Sequence, residues 1–232
     1  MAEKQPSNVD QWLERETPRV RKALESASRY FDANDDLTVN TLEAVYGRES
    51  SFGTMLRERG STVPAGHFHF KPDTAREYGL NTSKNNDQRF DIEYASSAAA
   101  RYLKDLDNRF SEDAKTIIGV KNAVERQKFA LAAYNGGPRR IADAQQRAKQ
   151  AGTDPILWMN VEKFLESEDT SLSKADEIRQ YVERVLSYQA EFAAKSPADK
   201  TIKHKEPPRK GEYRCTEGHW VTIDDRPVFI CD

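Results

Sequence analysis

The feature that most constrains the fold is a stripe of small and apolar residues at helical spacing between Asp91 and Phe110. The stripe consists of Tyr94, Ala95, Ala98, Ala99, Tyr102, Leu103 and Leu106. Its alanines allow neighbouring helices to approach closely, because the distance between packed helices depends on the side chains at the contact. The pattern therefore predicts a helix that packs closely against other helices.

Other segments repeat apolar residues at the same spacing, and capping and breaking residues divide them. Helices are predicted at about 9–31 with a break at Pro18, and at about 37–50, 72–79, 91–110, 123–134, 138–144, 155–165 and 175–192. Segment 51–70 lacks this periodicity and contains several glycines and a proline, which favour a loop or a small irregular sheet. The predicted fold class is mainly α, a helical body with a small irregular β or loop region and a C-terminal β-hairpin.

The chain changes character near its C-terminus. Residues 195–211 are rich in lysine and proline, which predicts a linker or an extended arm. Residues 212–232 place strand formers on both sides of a polar turn, which predicts a small β-hairpin. Cys215 and Cys231 are expected to close this hairpin as a disulfide, and a pair of reduced thiols is the alternative. The hairpin is interpreted as a structural flap, with wall anchoring or partner docking as the alternative.

Composition argues against several kinds of partner. Charged residues make up 32% of the 232 residues, yet the net charge is only −2, so no overall attraction to nucleic acid or to an anionic membrane is expected. No apolar run approaches the roughly 20 residues that a membrane-spanning helix needs. Residues 1–10 lack the apolar core of a signal peptide. We therefore expect a chain that is cytosolic when made, or one whose leader or larger parent sequence is missing.

Glu49 stands at the end of the predicted helix 37–50, directly before the glycine-containing loop. A carboxyl group in this position can be shielded by the core and still face a cleft. Partial burial disfavours the ionised form and raises the pKa of a carboxyl group, as a general acid at neutral pH requires. The position makes Glu49 a candidate general acid, and a solvated glutamate at a helix end is the alternative interpretation.

Two further strings place polar groups beside adaptable backbone. His67 and His69 alternate with phenylalanines, and we interpret them as residues that line or flank a cleft, because no third metal ligand follows at a clear spacing. No metal and no cofactor are therefore expected. Tyr134 and Asn135 end a predicted helix before two glycines, where another group can approach the backbone closely. An ordinary helix junction is the alternative for this second string.

Taken together and in this order, the strings resemble the soluble lytic transglycosylase family and the related goose-type lysozymes. The pair Glu49-Ser50 is similar to the family's catalytic Glu-Ser pair. Residues 66–75 are similar to its Gly-Leu-Met-Gln…Pro-x-Thr-Ala segment, and residues 133–138 to its Ala-Tyr-Asn-Ala-Gly-Pro. Residues 179–182 resemble its closing Asn-Tyr-Val. Four motifs in register carry the resemblance, although each one alone is weak.

The resemblance covers about residues 37–190. It implies a lysozyme-like catalytic domain at 37–194, which follows an N-terminal helical extension at 1–36. The chain departs from the family at His69, where the usual residue is Gln. It also departs at His67-Phe68, where the usual residues are Leu-Met. These departures fall in the segment expected to contact sugar.

The resemblance implies cleavage of the β-1,4 bond between N-acetylmuramic acid and N-acetylglucosamine, with Glu49 as the acid. Hydrolysis of the lysozyme type is slightly favoured, with Glu58 as a second carboxylate that Arg57 and Arg59 keep ionised. Asp91 is the alternative second carboxylate. The alternative activity is lytic transglycosylation, in which the 6-hydroxyl of the muramic sugar attacks and one carboxylate suffices. A catalytically inactive peptidoglycan-binding module is a further alternative.

The predicted substrate-binding residues are Ser50, His69, Tyr134, Asn135 and Tyr181. By resemblance, the two tyrosines orient Glu49 or the substrate, while the serine and the asparagine support the site. The expected partner is the peptidoglycan glycan strand, met in the periplasm or cell wall. Delivery by a secretion machine, or release from a larger protein, is the expected route. A secretion-system or immunity partner follows if the chain is a toxin.

Overall fold

The computed structural model describes residues 5–195, 218–223 and 226–231. Its helices are α1 (Asn8–Arg15), α2 (Pro18–Ala27), α3 (Val39–Ser50), α4 (Pro72–Glu77), α5 (Ile92–Arg109), α6 (Ala123–Gly136), α7 (Pro138–Gln150), α8 (Trp158–Val161) and α9 (Leu172–Lys195). Two very short strands, β1 (Thr82–Ser83) and β2 (Asn86–Asp87), pair antiparallel between α4 and α5. The predicted mainly α fold is confirmed.

The predicted alanine-rich stripe forms one face of α5, which packs between α2 and α6. Its alanines and leucines are fully buried, and Tyr102 is half-buried against the core. Tyr94, in the first turn of the helix, is instead 51% exposed. The small residues therefore lie where the helices meet, as the sequence predicted. Tyr94 lies outside this contact.

Helix α3 ends abruptly, and this end matters for the site. The helix begins at a capping box in which Thr38 and Thr41 bind each other's backbone N–H groups. After its last residue, Ser51 and Phe52 adopt left-handed backbone with φ angles of 48° and 58°. Such angles are uncommon for residues other than glycine and turn the chain sharply. Glu49 consequently lies in the last turn of a helix that the core holds along its length.

The N-terminal helix α1 packs against α3 and α9 through Trp12. The Trp12 ring lies so close to Gly47 of α3 that a side chain at position 47 would overlap it. The same ring meets Tyr188 of α9 edge-on, with centroids 4.8 Å apart. Val9, Trp12 and Leu24 belong to the same hydrophobic core as α3. The segment predicted as an extension therefore shares the core of the helical body.

One predicted helix differs from the structure, and the segment predicted as a loop or a small irregular sheet is a loop. The helix predicted at 155–165 is wrong in length, because only Trp158–Val161 is α-helical and a 3-10 turn at Glu162–Phe164 follows. Segment 51–70 contains one isolated antiparallel bridge, Ala65 to Phe70, and no named strand. The small sheet lies after α4 instead, where the sequence had shown no strand-forming pattern. Strands of two residues are too short to leave an alternation in the sequence.

Near the C-terminus, β3 (Gly218–Ile223) and β4 (Arg226–Cys231) pair antiparallel, with Gly218 opposite Cys231. The backbone thus forms strands where strand-forming residues had been recognised. The predicted linker beyond Lys195 lies outside the described residues. So does the predicted disulfide, since neither the position of Cys215 nor the Cys231 side chain is described.

A carboxyl group is buried inside α3, about 1.7 turns before Glu49. Glu43 is 2% exposed, and its Oε2 has no hydrogen-bond partner among the described residues. Glu16 lies nearby, and its buried Oε1 also has no hydrogen-bond partner among the described residues. Its Oε2 pairs with Arg21. Burial raises the pKa of Glu43 to about 7, and the negative charge of Glu16 adds to the shift. Glu43 therefore binds a proton in the folded state under conditions where the unfolded chain releases it.

This shift predicts a pH-dependent stability. A folded-state pKa above the unfolded value of 4.5 means that the stability is complete below pH 4.5 and declines as the pH rises through about 7. The full loss amounts to about 3 kcal/mol, since one pKa unit corresponds to about 1.4 kcal/mol. Glu43→Gln keeps the shape and removes the titration, so the variant should exceed the wild type in unfolding free energy above pH 7 and match it near pH 4.5.

Urea unfolding at several pH values measures this difference, with Glu183→Gln, an exposed site on α9, as the control. Buried His67, whose pKa burial lowers to about 4, gives a slope of opposite sign between pH 4 and 6.5. That contribution is common to all three proteins and cancels in the comparison. A stability gap between Glu43→Gln and wild type that stays constant from pH 4.5 to 8.5 would contradict the prediction.

Candidate active site

Glu49 is held at the surface of the core by two polar partners. Its side chain is 15% exposed, so it is shielded but still reaches solvent. The Tyr181 hydroxyl of α9 donates a hydrogen bond to Oε1 at 2.7 Å. The His69 Nδ1 lies 3.5 Å from Oε2. The structure therefore brings together three residues that the sequence placed far apart, and each carboxyl oxygen faces its own partner.

His69 is fixed in an unusual conformation. Its backbone is left-handed, with φ at 45°, a conformation that costs energy for a side chain of this size. Its Nε2 lies 2.8 Å from the Met55 carbonyl oxygen. A carbonyl oxygen only accepts hydrogen bonds, so Nε2 carries a hydrogen. In the neutral ring, the unprotonated Nδ1 then directs its lone pair towards Glu49.

The two predicted tyrosines form a stacked pair beside Glu49. The rings of Tyr134 and Tyr181 are nearly parallel, with centroids 6.4 Å apart. Tyr134 donates from its hydroxyl to the Phe68 carbonyl at 3.1 Å. Burial, and then the charge of Glu49, raise the pKa of both tyrosines well above the usual value. Both hydroxyls therefore remain protonated donors, and Tyr181 acts directly on the carboxylate.

Ser50 is a supporting residue and does not face the cleft. It is completely buried, and its hydroxyl lies 2.7 Å from the His67 carbonyl oxygen, to which it donates. The Ser50 hydroxyl oxygen also accepts a hydrogen bond from the Gly53 N–H at 3.1 Å. His67 in turn lies 3.0 Å from the Tyr46 hydroxyl through its Nδ1. Ser50 and His67 therefore tie the end of α3 to the loop of residues 61–70, which carries His69.

Asn135 is engaged by a neighbouring charged pair. Its Nδ2 donates to Glu177 Oε1 at 3.0 Å, and its Oδ1 accepts from Lys174 at 3.1 Å. Lys174 also pairs with Glu177 at 2.9 Å. The amide thus contacts these two residues of α9, and the support of the site by Asn135 stays a prediction.

The loop of residues 61–70 is held by a buried ion pair that sequence reasoning missed. Arg89 is 1% exposed, and its Nε and Nη2 donate to Asp87 at 2.9 and 2.7 Å. The remaining guanidinium hydrogens bind the carbonyls of Ser61, Val63 and Phe70 at 2.9, 3.3 and 3.1 Å. All five donors of the guanidinium are therefore used. The sequence signal was weak, because an Asp-x-Arg pair between helices usually lies at the surface.

Gly66 allows the backbones of this loop and of Arg89 to approach. Its φ is 82°, and a Cβ at this position would overlap the Arg89 carbonyl oxygen. His67 N–H then donates to that oxygen at 2.9 Å. Although burial alone would raise the pKa of Asp87, the hydrogen bonds from Arg89 lower it below the usual value. The ionised, buried pair of Asp87 and Arg89 therefore holds the loop that carries His69; we call this pair the buried clamp.

Glu58, the predicted second carboxylate, has no polar contact with this group. It is exposed and forms no hydrogen bond or ion pair with any residue in the described part of the chain. The two arginines expected to keep it ionised bind elsewhere. Arg57 donates to the Pro64 carbonyl at 2.9 Å, and Arg59 donates to the Asp87 carbonyl at 3.2 Å.

The alternative second carboxylate is also occupied. Asp91 caps the N-terminus of α5 and pairs with Arg19 at 3.0 Å. The structure thus brings neither predicted second carboxylate into contact with Glu49. Within the described residues, no group of three or more His, Cys, Asp or Glu side chains is arranged to hold a metal ion.

Comparison with known proteins agrees with this geometry. Residues 28–157 match the model of the family described as the transglycosylase SLT domain. The chain belongs to this family. The match includes Glu49, His69 and Tyr134, whereas Tyr181 comes from α9 beyond its end.

Similar proteins from several bacteria are named membrane-bound lytic murein transglycosylase F, or F 2 in Alkalilimnicola ehrlichii. The protein from Desulfosudis oleivorans is 31% identical over 180 residues, which is 74% of this chain and 36% of that protein. That from Alkalilimnicola ehrlichii is 29% identical over 153 residues, 66% of this chain and 30% of that protein. That from Shewanella loihica is 31% identical over 130 residues, 56% of this chain and 24% of that protein.

The chain spans about a third or less of the length of these relatives. The matched part is therefore one portion of each relative. None of the helices described in this chain combines the length and the apolar character that crossing a membrane demands.

Proposed function

We propose that the chain is a lytic transglycosylase that cuts peptidoglycan glycan strands at the β-1,4 bond after N-acetylmuramic acid. The observation that carries the proposal is the match of residues 28–157 to the transglycosylase SLT domain, with Glu49 of that match held by Tyr181 and His69. Neither Glu58 nor Asp91 forms a hydrogen bond or ion pair with this group. An inverting or retaining hydrolase uses a pair of carboxylates about 5–9.5 Å apart on either side of the bond, whereas transglycosylation needs Glu49 alone. The names of the relatives support the same choice, and hydrolysis becomes the second candidate.

Glu49 serves in this reaction first as acid and then as base. The protonated carboxyl gives its proton to the glycosidic oxygen, and the bond from that oxygen to C1 of the muramic sugar breaks. The bonding electrons leave with the oxygen, and positive charge develops at C1. The 6-hydroxyl oxygen of the same sugar then bonds to C1 while its proton returns to Glu49. No water is consumed, and the carboxyl group ends as it began.

His69 and Tyr181 support the two charge states of Glu49. Tyr181 donates to Oε1, and this charge-assisted bond is strongest when Glu49 is ionised. The Nδ1 of neutral His69 offers an acceptor 3.5 Å from Oε2, which suits the protonated state. Hydrogen bonds of catalytic groups often shorten when substrate binds. We assign His69, which stands where the family usually has Gln, as a positioning residue for the acid proton.

A catalytically inactive binding module is disfavoured by the same contacts. A carboxylate held by a buried tyrosine and by a strained histidine is a costly arrangement, and substrate binding alone does not require it. Delivery by a secretion machine, an immunity partner and an antibacterial role remain predictions from the sequence. The place of action that fits the proposed substrate is the periplasmic cell wall.

Mass spectrometry of the products from purified peptidoglycan tests the proposal. We expect fragments with 1,6-anhydro-muramic ends, each one water lighter than the corresponding hydrolysis product. Glu58→Gln should give the same products at the wild-type rate, because Glu58 is exposed and touches no part of the site. Products with reducing muramic ends, together with a large rate loss in Glu58→Gln, would establish the two-carboxylate hydrolase instead.

A further inference from the structure

A recess of about 300 Å³ lies beside the last turn of α3, on a side that does not include Glu49. Helices α1, α3 and α9 form its walls. Trp12 and Tyr188 contribute aromatic surface, Gln11 contributes an amide, and Gly47 lies beneath the Trp12 ring. A volume of this size reaches the lower end of the range for ligand pockets, about 300 Å³ and upwards. Neither the proposed catalytic step nor the family motifs use this recess.

Three arginines line the recess, one from each helix: Arg15, Arg48 and Arg184. None of them forms an ion pair with a carboxylate in the part of the chain that the structure describes. Arg15 reaches only the Ser51 carbonyl at 3.5 Å, and Arg184 reaches only the Gln180 amide oxygen at 3.4 Å. Both contacts are long, so the two guanidinium groups retain free donors.

Arg48 carries the clearest sign of a missing partner. Its Nε is buried and has no hydrogen-bond acceptor among the described residues, although its guanidinium lies over the Tyr181 ring at 5.7 Å from the centroid. Buried polar groups nearly always have a partner, so an exception requires an explanation. No acid of α1 or α9 accepts a hydrogen bond from Arg48: Asp10 and Glu191 bind Lys195, and Glu177, which is close enough to interact with the charge of Arg48, pairs with Lys174. The recess therefore concentrates positive charge.

The recess and the active site share two helices. Arg48 and Glu49 are adjacent on α3, so they point about 100° apart around the helix. On α9, Tyr181, Arg184 and Tyr188 are spaced by three and four residues and lie along one face. Along the α9 axis, Tyr181, the buried partner of Glu49, lies about 10 Å from Tyr188 in the recess, at 1.5 Å per residue.

We propose that this recess binds the carboxylates of the peptide stem attached to the muramic sugar that is cut at Glu49. This inference rests on the proposed function. Arginine is suited to carboxylates, because its planar guanidinium binds both oxygens at once. An extended peptide covers about 3.3–3.6 Å per residue, so about three residues of a stem span the face from Tyr181 to Tyr188. The muramic lactyl group alone is too short to reach.

A comparison of two substrates tests the assignment. Glycan strands with intact stems, and the same strands after an amidase has removed the stems, are digested by wild type and by Arg15→Gln/Arg184→Gln. Both arginines are exposed, so the double variant should fold. We expect KM for stem-bearing strands to rise about tenfold, with kcat unchanged and with no change on stripped strands. Arg29→Gln/Arg139→Gln, at two exposed sites outside the recess, is the matched control.

Direct binding separates this inference from the proposed function. Calorimetric titration with a free tetrapeptide stem should show binding to wild type and at least tenfold weaker binding to the double variant, whether or not the chain cuts glycan. Absence of glycan cleavage by the wild type would refute the proposed function. The titration would still show whether the recess binds the tetrapeptide. Equal affinity of the two proteins for the tetrapeptide, or an equal rise of KM on both substrates, would overturn the assignment. The second result would place the bound anion on the glycan itself.

Discussion

Glu49→Gln is expected to reduce the release of soluble fragments from purified peptidoglycan by roughly 10⁴-fold, because the variant loses both the acid and the base of one reaction cycle. Glutamine has nearly the same shape, and its amide oxygen still accepts the hydrogen bond that Tyr181 donates to Oε1. The melting temperature should therefore stay close to that of the wild type. The rate is measured by chromatography of soluble fragments at saturating substrate.

Two further variants give a graded series around the same carboxyl group. Tyr181→Phe removes a hydrogen bond to a charged group, worth about 1.5–3 kcal/mol, so the expected rate loss is roughly 10- to 100-fold. His69→Gln restores the residue usual in the family and should cost less, chiefly in kcat, because Gln cannot offer an imidazole nitrogen to the acid proton. Glu49→Gln with more than one per cent of wild-type activity would exclude Glu49 as the acid and would direct attention to Glu58.

The sequence was informative where function depends on residue type and order. Glu49, Tyr134 and Tyr181 were identified from motifs, and the fold brings them together although α3 and α9 lie far apart in the sequence. The helices themselves were predictable because apolar spacing and caps are local signals. The helix at 155–165 failed because a short apolar stretch fits both a full helix and a single turn followed by a 3-10 segment.

What the sequence could not show is the burial of charge. Arg89 and Asp87 look like ordinary surface residues, since charged residues are rarely buried without a partner. The three arginines of the recess come from separate helices, and only the packing of α1, α3 and α9 on one another brings them together. Ser50 and His69 were expected to contact substrate, and the loop conformation decides that the first supports the loop while the second faces Glu49. Such roles depend on tertiary contacts, which no local pattern encodes.

Arg89→Met is expected to destabilise the protein by about 3–5 kcal/mol, because removal of one partner leaves the other charge of a buried pair uncompensated. Asp87 would remain buried, and the carbonyls of Ser61, Val63 and Phe70 would lose their donor. For a domain of this size, the melting temperature should fall by about 6–20 °C, at about 2–4 °C per kcal/mol. Peptidoglycan cleavage at a temperature where the variant is still folded should also fall, since the loop that presents His69 is no longer held.

Arg139→Met is the matched control, since Arg139 is 90% exposed and lies 3.7 Å from Asp143 in an ion pair at the surface. Its melting temperature should hardly change, because exposed pairs contribute about 0–1 kcal/mol. Arg89→Lys tests geometry separately from charge: lysine keeps the positive charge near Asp87 but cannot reach three carbonyls with a planar fork, so it should recover only part of the loss. Full recovery with lysine would mean that the charge alone holds the loop. An equal loss in Arg89→Met and Arg139→Met would mean that the buried clamp contributes no more than a surface pair, and the position of His69 would then need another cause.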